Sequence, residues 1–148
     1  NLTVELIPKT TWYSNVRKIV DDDEWDRIRR ATYRDANYEC EICGGTGPKW
    51  PVECHEKWDF DESNYVQTLE DLLTLCPSCH EVKHIGLAQM NGHGDRAIEH
   101  LADVNDWSMK RARKYVQKQF TIWERRSLME WDVNIDLLDK RFGITPPQ

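Results

Sequence analysis

Cys40-Glu41-Ile42-Cys43, Cys54-His55 and Cys76-Pro77-Ser78-Cys79-His80 decide how this chain is read, with His84 one helical turn further on. Each Cys-x-x-Cys pair presents two sulfurs from a single tight turn. Two such pairs supply the four thiolates of a tetrahedral zinc site. Cys54, His55, His80 and His84 are then surplus. A purely structural zinc has no use for them, so the surplus points toward catalysis.

Outward from these motifs, Gly44, Gly45 and Gly47 let the first knuckle reverse its backbone. Residues 51–58 read as a strand carrying Cys54 and His55, with Glu53 and Glu56 pointing away from that pair. Residues 59–67 are polar and turn-rich, which predicts a loop. Residues 71–75 lead into the second knuckle, and a helix from Pro77 to about Ile85 stacks His80 and His84 on one face. Upstream, residues 2–7 alternate as a short strand ended by Pro8, and residues 10–20 fit no single pattern. Asp21-Asp22-Asp23-Glu24 predicts a helix start with acids at the positive end of the dipole. That helix runs to about Asn37 and buries Trp25, Ile28, Thr32 and Tyr33. Downstream, residues 90–94 break the chain and residues 95–105 form a short helix. Ser108 caps a longer helix to about Leu128, with Met109, Ala112, Tyr115, Val116, Phe120 and Trp123 as its buried stripe. Residues 131–135 alternate like a strand, residues 136–142 form a last helix closed by Gly143, and residues 145–148 fray. The class is α+β, with residues 1–94 as a core and residues 95–148 as a helical extension packed on it, one domain overall.

At 148 residues, with 39% hydrophobic residues and seven tryptophans, a modest packed core is feasible. No apolar run reaches the length of a membrane span, and no signal peptide is visible. The odd count of five cysteines and their spacing favour metal-bound thiolates in a reducing cytoplasm over disulfides. A net charge of −6 argues against a protein that coats nucleic acid nonspecifically. It leaves room for local basic strips, of which Arg27, Arg29, Arg30 and Arg34 form one and Lys110, Arg111, Arg113, Lys114 and Lys118 another; either is equally a solvated helix face. His93 and His100 read as surface or packing histidines. The tryptophans read as core, although Trp50 and Trp58 bracket the His55 strand and are placed to stack on bases.

From Glu39 to His84 the chain resembles the zinc-ribbon HNH endonucleases of the His-metal (ββα-metal) finger superfamily. The shared features are the first Cys pair, a strand ending in Cys54-His55, a polar residue at Asp71 before Leu-x-x-Leu-Cys, and Cys79-His80 on a helix. The resemblance implies a metal-dependent endonuclease that hydrolyses phosphodiester bonds in DNA. His55 falls where the family has its general base, and His80 and His84 fall at metal-ligand positions. Cys40, Cys43, Cys76 and Cys79 would hold a structural Zn2+, beside a divalent catalytic ion (Mg2+, Mn2+, Ni2+ or Zn2+). Asp71 replaces the motif's Asn and can accept the same imidazole hydrogen bond. Cys54 stands where the family has an Asp or His ligand. It is either a soft ligand suited to zinc or a buried apolar thiol. Arg30 and Arg34 are the first candidates to hold the scissile phosphate. The alternative is a non-catalytic zinc module that docks on nucleic acid or protein, with a degenerate HNH site. A zinc hydrolase acting on a small molecule has the least support.

Overall fold

A computed structural model describes residues 1–12 and 14–145. The chain is mixed α+β, with a small three-stranded sheet of order β1-β2-β3. Seven α-helices among the described residues surround it: α1 Val16–Ile19, α2 Asp22–Asp35, α3 Pro77–Lys83, α4 Ile85–Met90, α5 Gly94–Asn105, α6 Met109–Arg126 and α7 Asp136–Phe142. The strands are β1 Glu53–Asp61, β2 Val66–Leu75 and β3 Asp132–Asn134. β1 and β2 are antiparallel, with His55 opposite Leu73, and β3 lies parallel to β2.

The acid run before α2 is a cap. Asp21 Oδ1 accepts from Glu24 N at 2.7 Å, and Glu24 Oε1 accepts from Asp21 N at 3.0 Å. This reciprocal box satisfies two amide donors that a helix start leaves unpaired. Ser108 caps α6 through Arg111 N, as its position predicts. The helix expected from Pro77 to Ile85 breaks at His84, whose φ of −103° and ψ of 50° end α3 before α4 begins.

Two sequence expectations are corrected. Residues 59–67 are not a loop throughout, because β1 continues to Asp61 and β2 starts at Val66. The reversal is confined to the Asp61 carboxylate, which accepts from Ser63 N and Asn64 N, and to Tyr65 at φ 54°. Residues 2–7 join no sheet. Their amides are satisfied one at a time: Leu2 N by Asn105 Oδ1, Val4 N by the Tyr115 hydroxyl and Glu5 N by Lys83 O. The segment is a strap across α3, α5 and α6. The fraying expected for residues 145–148 falls, from Pro146 on, outside the described residues.

Two apolar clusters flank the β1–β2 hairpin. One joins Leu2, Val4, Leu75 and Val82 to Leu101, Ala112 and Val116. The other joins Val16, Ile28, Trp58, Leu69, Leu72 and Leu138. Helices α5 and α6 therefore share their core with the strap and α3. Leu101 is fully buried where α5 meets α3. Truncation there removes side-chain contacts and leaves a cavity. Leu101→Ala is expected to cost about 2–5 kcal/mol in a chemical denaturation series. The loss should appear in one cooperative transition rather than as separate melting of residues 95–148.

Candidate metal centre

The first knuckle is built by Gly44, whose φ of 77° lets Gly44 N return to Cys40 O at 2.9 Å. Cys43 N and Gly45 N then point at Cys40 Sγ and Cys43 Sγ. At Gly47 an added Cβ would meet the Pro77 ring carbons at 2.7 Å, so only glycine lets the two knuckles approach this closely. Cys76 caps α3, its Sγ accepting from Cys79 N. Glu41 ties the first knuckle to the strand before the second: Glu41 N donates to Thr74 O and Glu41 Oε2 accepts from Thr74 N.

These links bring Cys40, Cys43, Cys76 and Cys79 together, with all four sulfurs within 4.8 Å of one another. Cys43 Sγ and Cys76 Sγ lie 3.6 Å apart. Zinc–sulfur bonds of about 2.3 Å in a tetrahedron require about 3.8 Å between sulfurs, so the cluster can hold a structural metal such as zinc. Its electrostatics agree. Burial pushes the Cys40 thiol up, but the amides of Cys43, Cys76 and Ile42 outweigh it and bring it down to about 7. Burial, and then the neighbouring thiolate of Cys40, pushes the Cys79 thiol up. Four crowded thiols share only part of their negative charge unless a cation joins them. His100, read from sequence as a packing residue, brings Nε2 to 3.2 Å from Cys79 Sγ, where it can donate to a thiolate.

A second group forms at the other end of α3. His55 on β1, His80 on α3 and His84 at the junction of α3 and α4 offer one nitrogen each within a 4.8 Å span. His80 Nε2 and His84 Nε2 are 3.2 Å apart, close to the roughly 3.3 Å between nitrogens on one tetrahedral zinc. Outer ring nitrogens carry carboxylates. His80 Nδ1 meets Glu53 Oε1 at 3.0 Å, and His55 Nε2 meets Glu5 Oε2 at 2.8 Å. His55 Nδ1 is buried and has no hydrogen-bond partner among the described residues. Burial, then the His80 and His55 charges, pushes the His84 imidazole down to about 3, and burial also lowers that of His55. Both rings are therefore held in the neutral form that a ligand or a base requires.

Glu5 is the residue that sequence reasoning missed most completely. Burial raises its carboxyl, but His55 and Lys83 together hold it below its ordinary value. Lys83, only 3% exposed, reaches Glu5 Oε1 at 3.1 Å and Thr3 Oγ1 at 2.8 Å. Nothing local in the sequence links Glu5 to His55, fifty positions away. The expectation for Glu53 is corrected: it lies two residues before His55, shares its face of the strand and meets the His80 ring. It does not point away from the Cys54-His55 pair.

Asp71 does not reach His55. The register shifts between Lys57 and Trp58, and Asp71 pairs with Lys57 at that irregularity. Its Oδ1 accepts instead from Leu72 N and Arg141 Nη1, both at 2.8 Å, since a bulge re-aims the side chain beside it. Cys54, on the opposite face of β1 from His55, packs with the second apolar cluster and belongs to neither group of metal-ligating side chains. Burial pushes its thiol up to about 12. Trp58 is buried in the same cluster, and Trp50 is exposed. Arg30 and Arg34 are exposed on α2 and do not line the cleft around the histidines. That cleft, of about 450 Å³, is lined by Glu5, His55, Glu56, His80 and His84 together with Arg17 and Lys18 of α1. Glu56 positions α1 there, its Oε1 accepting from Val16 N at 2.7 Å.

No protein-family model, curated protein or solved structure matches the chain. No helix among the described residues is long and apolar enough to cross a membrane.

Elemental analysis of purified variants tests the assignment of ligands. Cys79→Ser is expected to release the metal held by the four cysteines and to lower thermal stability. Cys54→Ala is expected to leave the metal content of the protein unchanged; a drop in it would return Cys54 to the ligand set.

Proposed function

We propose that this protein is a metal-dependent endonuclease that hydrolyses phosphodiester bonds in DNA, built as a ββα-metal finger clamped by a structural zinc at Cys40, Cys43, Cys76 and Cys79. The observation that carries this reading is the convergence of His55, His80 and His84 at the floor of a cationic-rimmed cleft, with carboxylates behind two of the rings. A structural zinc needs none of these groups. The resemblance to the zinc-ribbon HNH enzymes supports the same assignment.

His80 and His84 would hold the divalent ion, with Glu53 orienting the His80 ring. When bound, that ion supplies positive charge to the phosphoryl oxygens and to the departing 3′ oxygen. His55 is the general base. Its Nε2–H donates to the Glu5 carboxylate, which leaves the lone pair on Nδ1 facing the cluster. Water gives its proton to Nδ1, and Glu5 stabilises the imidazolium that results. The His55 hydrogen bond, with Lys83 beside it, holds the Glu5 carboxyl below its ordinary value and so ionised. Arg17 and Lys18, rather than Arg30 and Arg34, are the cations beside the cleft.

A second reading rests on the 2% exposure of His55 and the acidity of the chain. There His55 is a third metal ligand, and the protein is a non-catalytic zinc module that docks on nucleic acid or protein. One variant separates the two. As a base, His55→Ala is expected to lower plasmid cleavage with added magnesium, manganese, nickel or zinc by roughly 10²–10⁴-fold, with metal content and fold retained. Loss of bound metal together with an absence of cleavage by the wild-type protein would establish the second reading.

A further inference from the structure

The histidine cleft does not end at the histidines. Glu5, Ile7, Trp12, His84 and Leu87 line it and also line a second, mostly apolar cavity of about 730 Å³. The walls of the second cavity include Leu6, Met90, Phe120 and Trp123. Three of the side chains around the joined cavities are strongly exposed for apolar groups: Trp12 at 61%, Leu87 at 50% and Met90 at 84%. Lys9 lies 5.1 Å over the Trp123 ring and lines the same wall.

Arg17 and Lys18 line the histidine cleft and are absent from the walls of the apolar cavity. Neither takes part in an ion pair among the described residues. The nearby Glu5 charge is already engaged by Lys83. The joined cleft therefore carries cations and imidazoles in one cavity, apolar walls in the other, and the exposed Trp12 indole on the border of both. Its parts match those of one nucleotide, an anionic phosphodiester joined through a sugar to a base with flat, stackable faces.

We propose that this joined cleft holds one unpaired nucleotide, its phosphate between Arg17, Lys18 and the histidines and its base in the apolar cavity against Trp12. The inference rests on the nuclease reading and narrows its substrate to single-stranded or locally unpaired nucleic acid. A base paired within a duplex has its faces covered by its neighbours and cannot enter a side cavity. Stacking on an aromatic ring tolerates any base, so the cleft selects for strandedness and not for sequence.

Fluorescence anisotropy with the full chain, without added divalent ion, tests this directly. The probes are a short labelled single-stranded DNA, its duplex, and the same strand with one abasic position scanned along it. The single strand is expected to bind more tightly than the duplex, with one abasic position costing roughly 5–150-fold. Trp12→Ala should weaken binding of the intact strand by a similar factor and erase the abasic penalty. Met90→Glu, at a still more exposed position, should weaken it as well without disturbing the fold. Arg17→Ala combined with Lys18→Ala should flatten the dependence of log affinity on log salt by about 1.4, two phosphate contacts on a single strand. Equal or tighter binding of the duplex, or an abasic penalty that survives Trp12→Ala, overturns the inference. Efficient plasmid cleavage in that case leaves the nuclease reading standing. Conversely, the expected binding pattern with no cleavage by any added ion overturns the nuclease reading and leaves the nucleotide cleft.

Discussion

The position of α3 against the β1–β2 hairpin depends on the four sulfurs at its head. Cys76 and Cys79 occupy the first turn of the helix, and Cys40 and Cys43 come from a knuckle tied to β2 through Glu41 and Thr74. One ion held by these sulfurs would fix where the helix begins and how it is rotated. That rotation aims His80 and His84 at β1. A helix of seven residues has little intrinsic stability. Its place must come from tertiary contacts, and here the tetrad at one end and Lys83 at the other supply them.

At the far end of α3 the constraint is electrostatic. Glu5 pairs with both Lys83 and the neutral His55 in a largely buried site, so the carboxylate and the ammonium compensate each other. Removing one partner leaves another charge buried and unpaired, which is far more costly than the pair is stabilising. The strap of residues 2–7 is thus joined to the site as well as to the core. It carries Glu5 while Leu2 and Val4 bury their side chains against α5 and α6. Core packing and the orientation of His55 are in this way properties of one segment.

The overall charge of −6 does not describe the cleft. Carboxylates near the histidines are engaged, Glu5 by Lys83 and His55 and Glu56 by the Val16 amide. Arg17 and Lys18 of α1, in no ion pair among the described residues, stand beside them in the lining. An acidic protein can in this way offer cations locally, because interactions between exposed charges are screened beyond about one Debye length.

The sequence by itself determined the elements whose causes are local. The Asp21–Glu24 box, the Cys76 cap, the Gly44 turn and the Ser108 cap follow from residues within a few positions of one another. The four cysteines and the His80/His84 stacking were legible for the same reason, since turn and helix geometry fix neighbours at short spacing. Tertiary structure alone decided the partner of His55. Local pattern cannot show that Glu5 arrives from a strap that joins no sheet, nor that a register shift turns Asp71 to Arg141. It also decided the cations: Arg30 and Arg34 lie close in sequence to the first knuckle but face solvent, whereas Arg17 and Lys18 reach the cleft because Glu56 holds their short helix there. Spacing along a chain reports what one element presents. Which elements meet is set by burial and by the pairing of charges that only the assembled fold brings together.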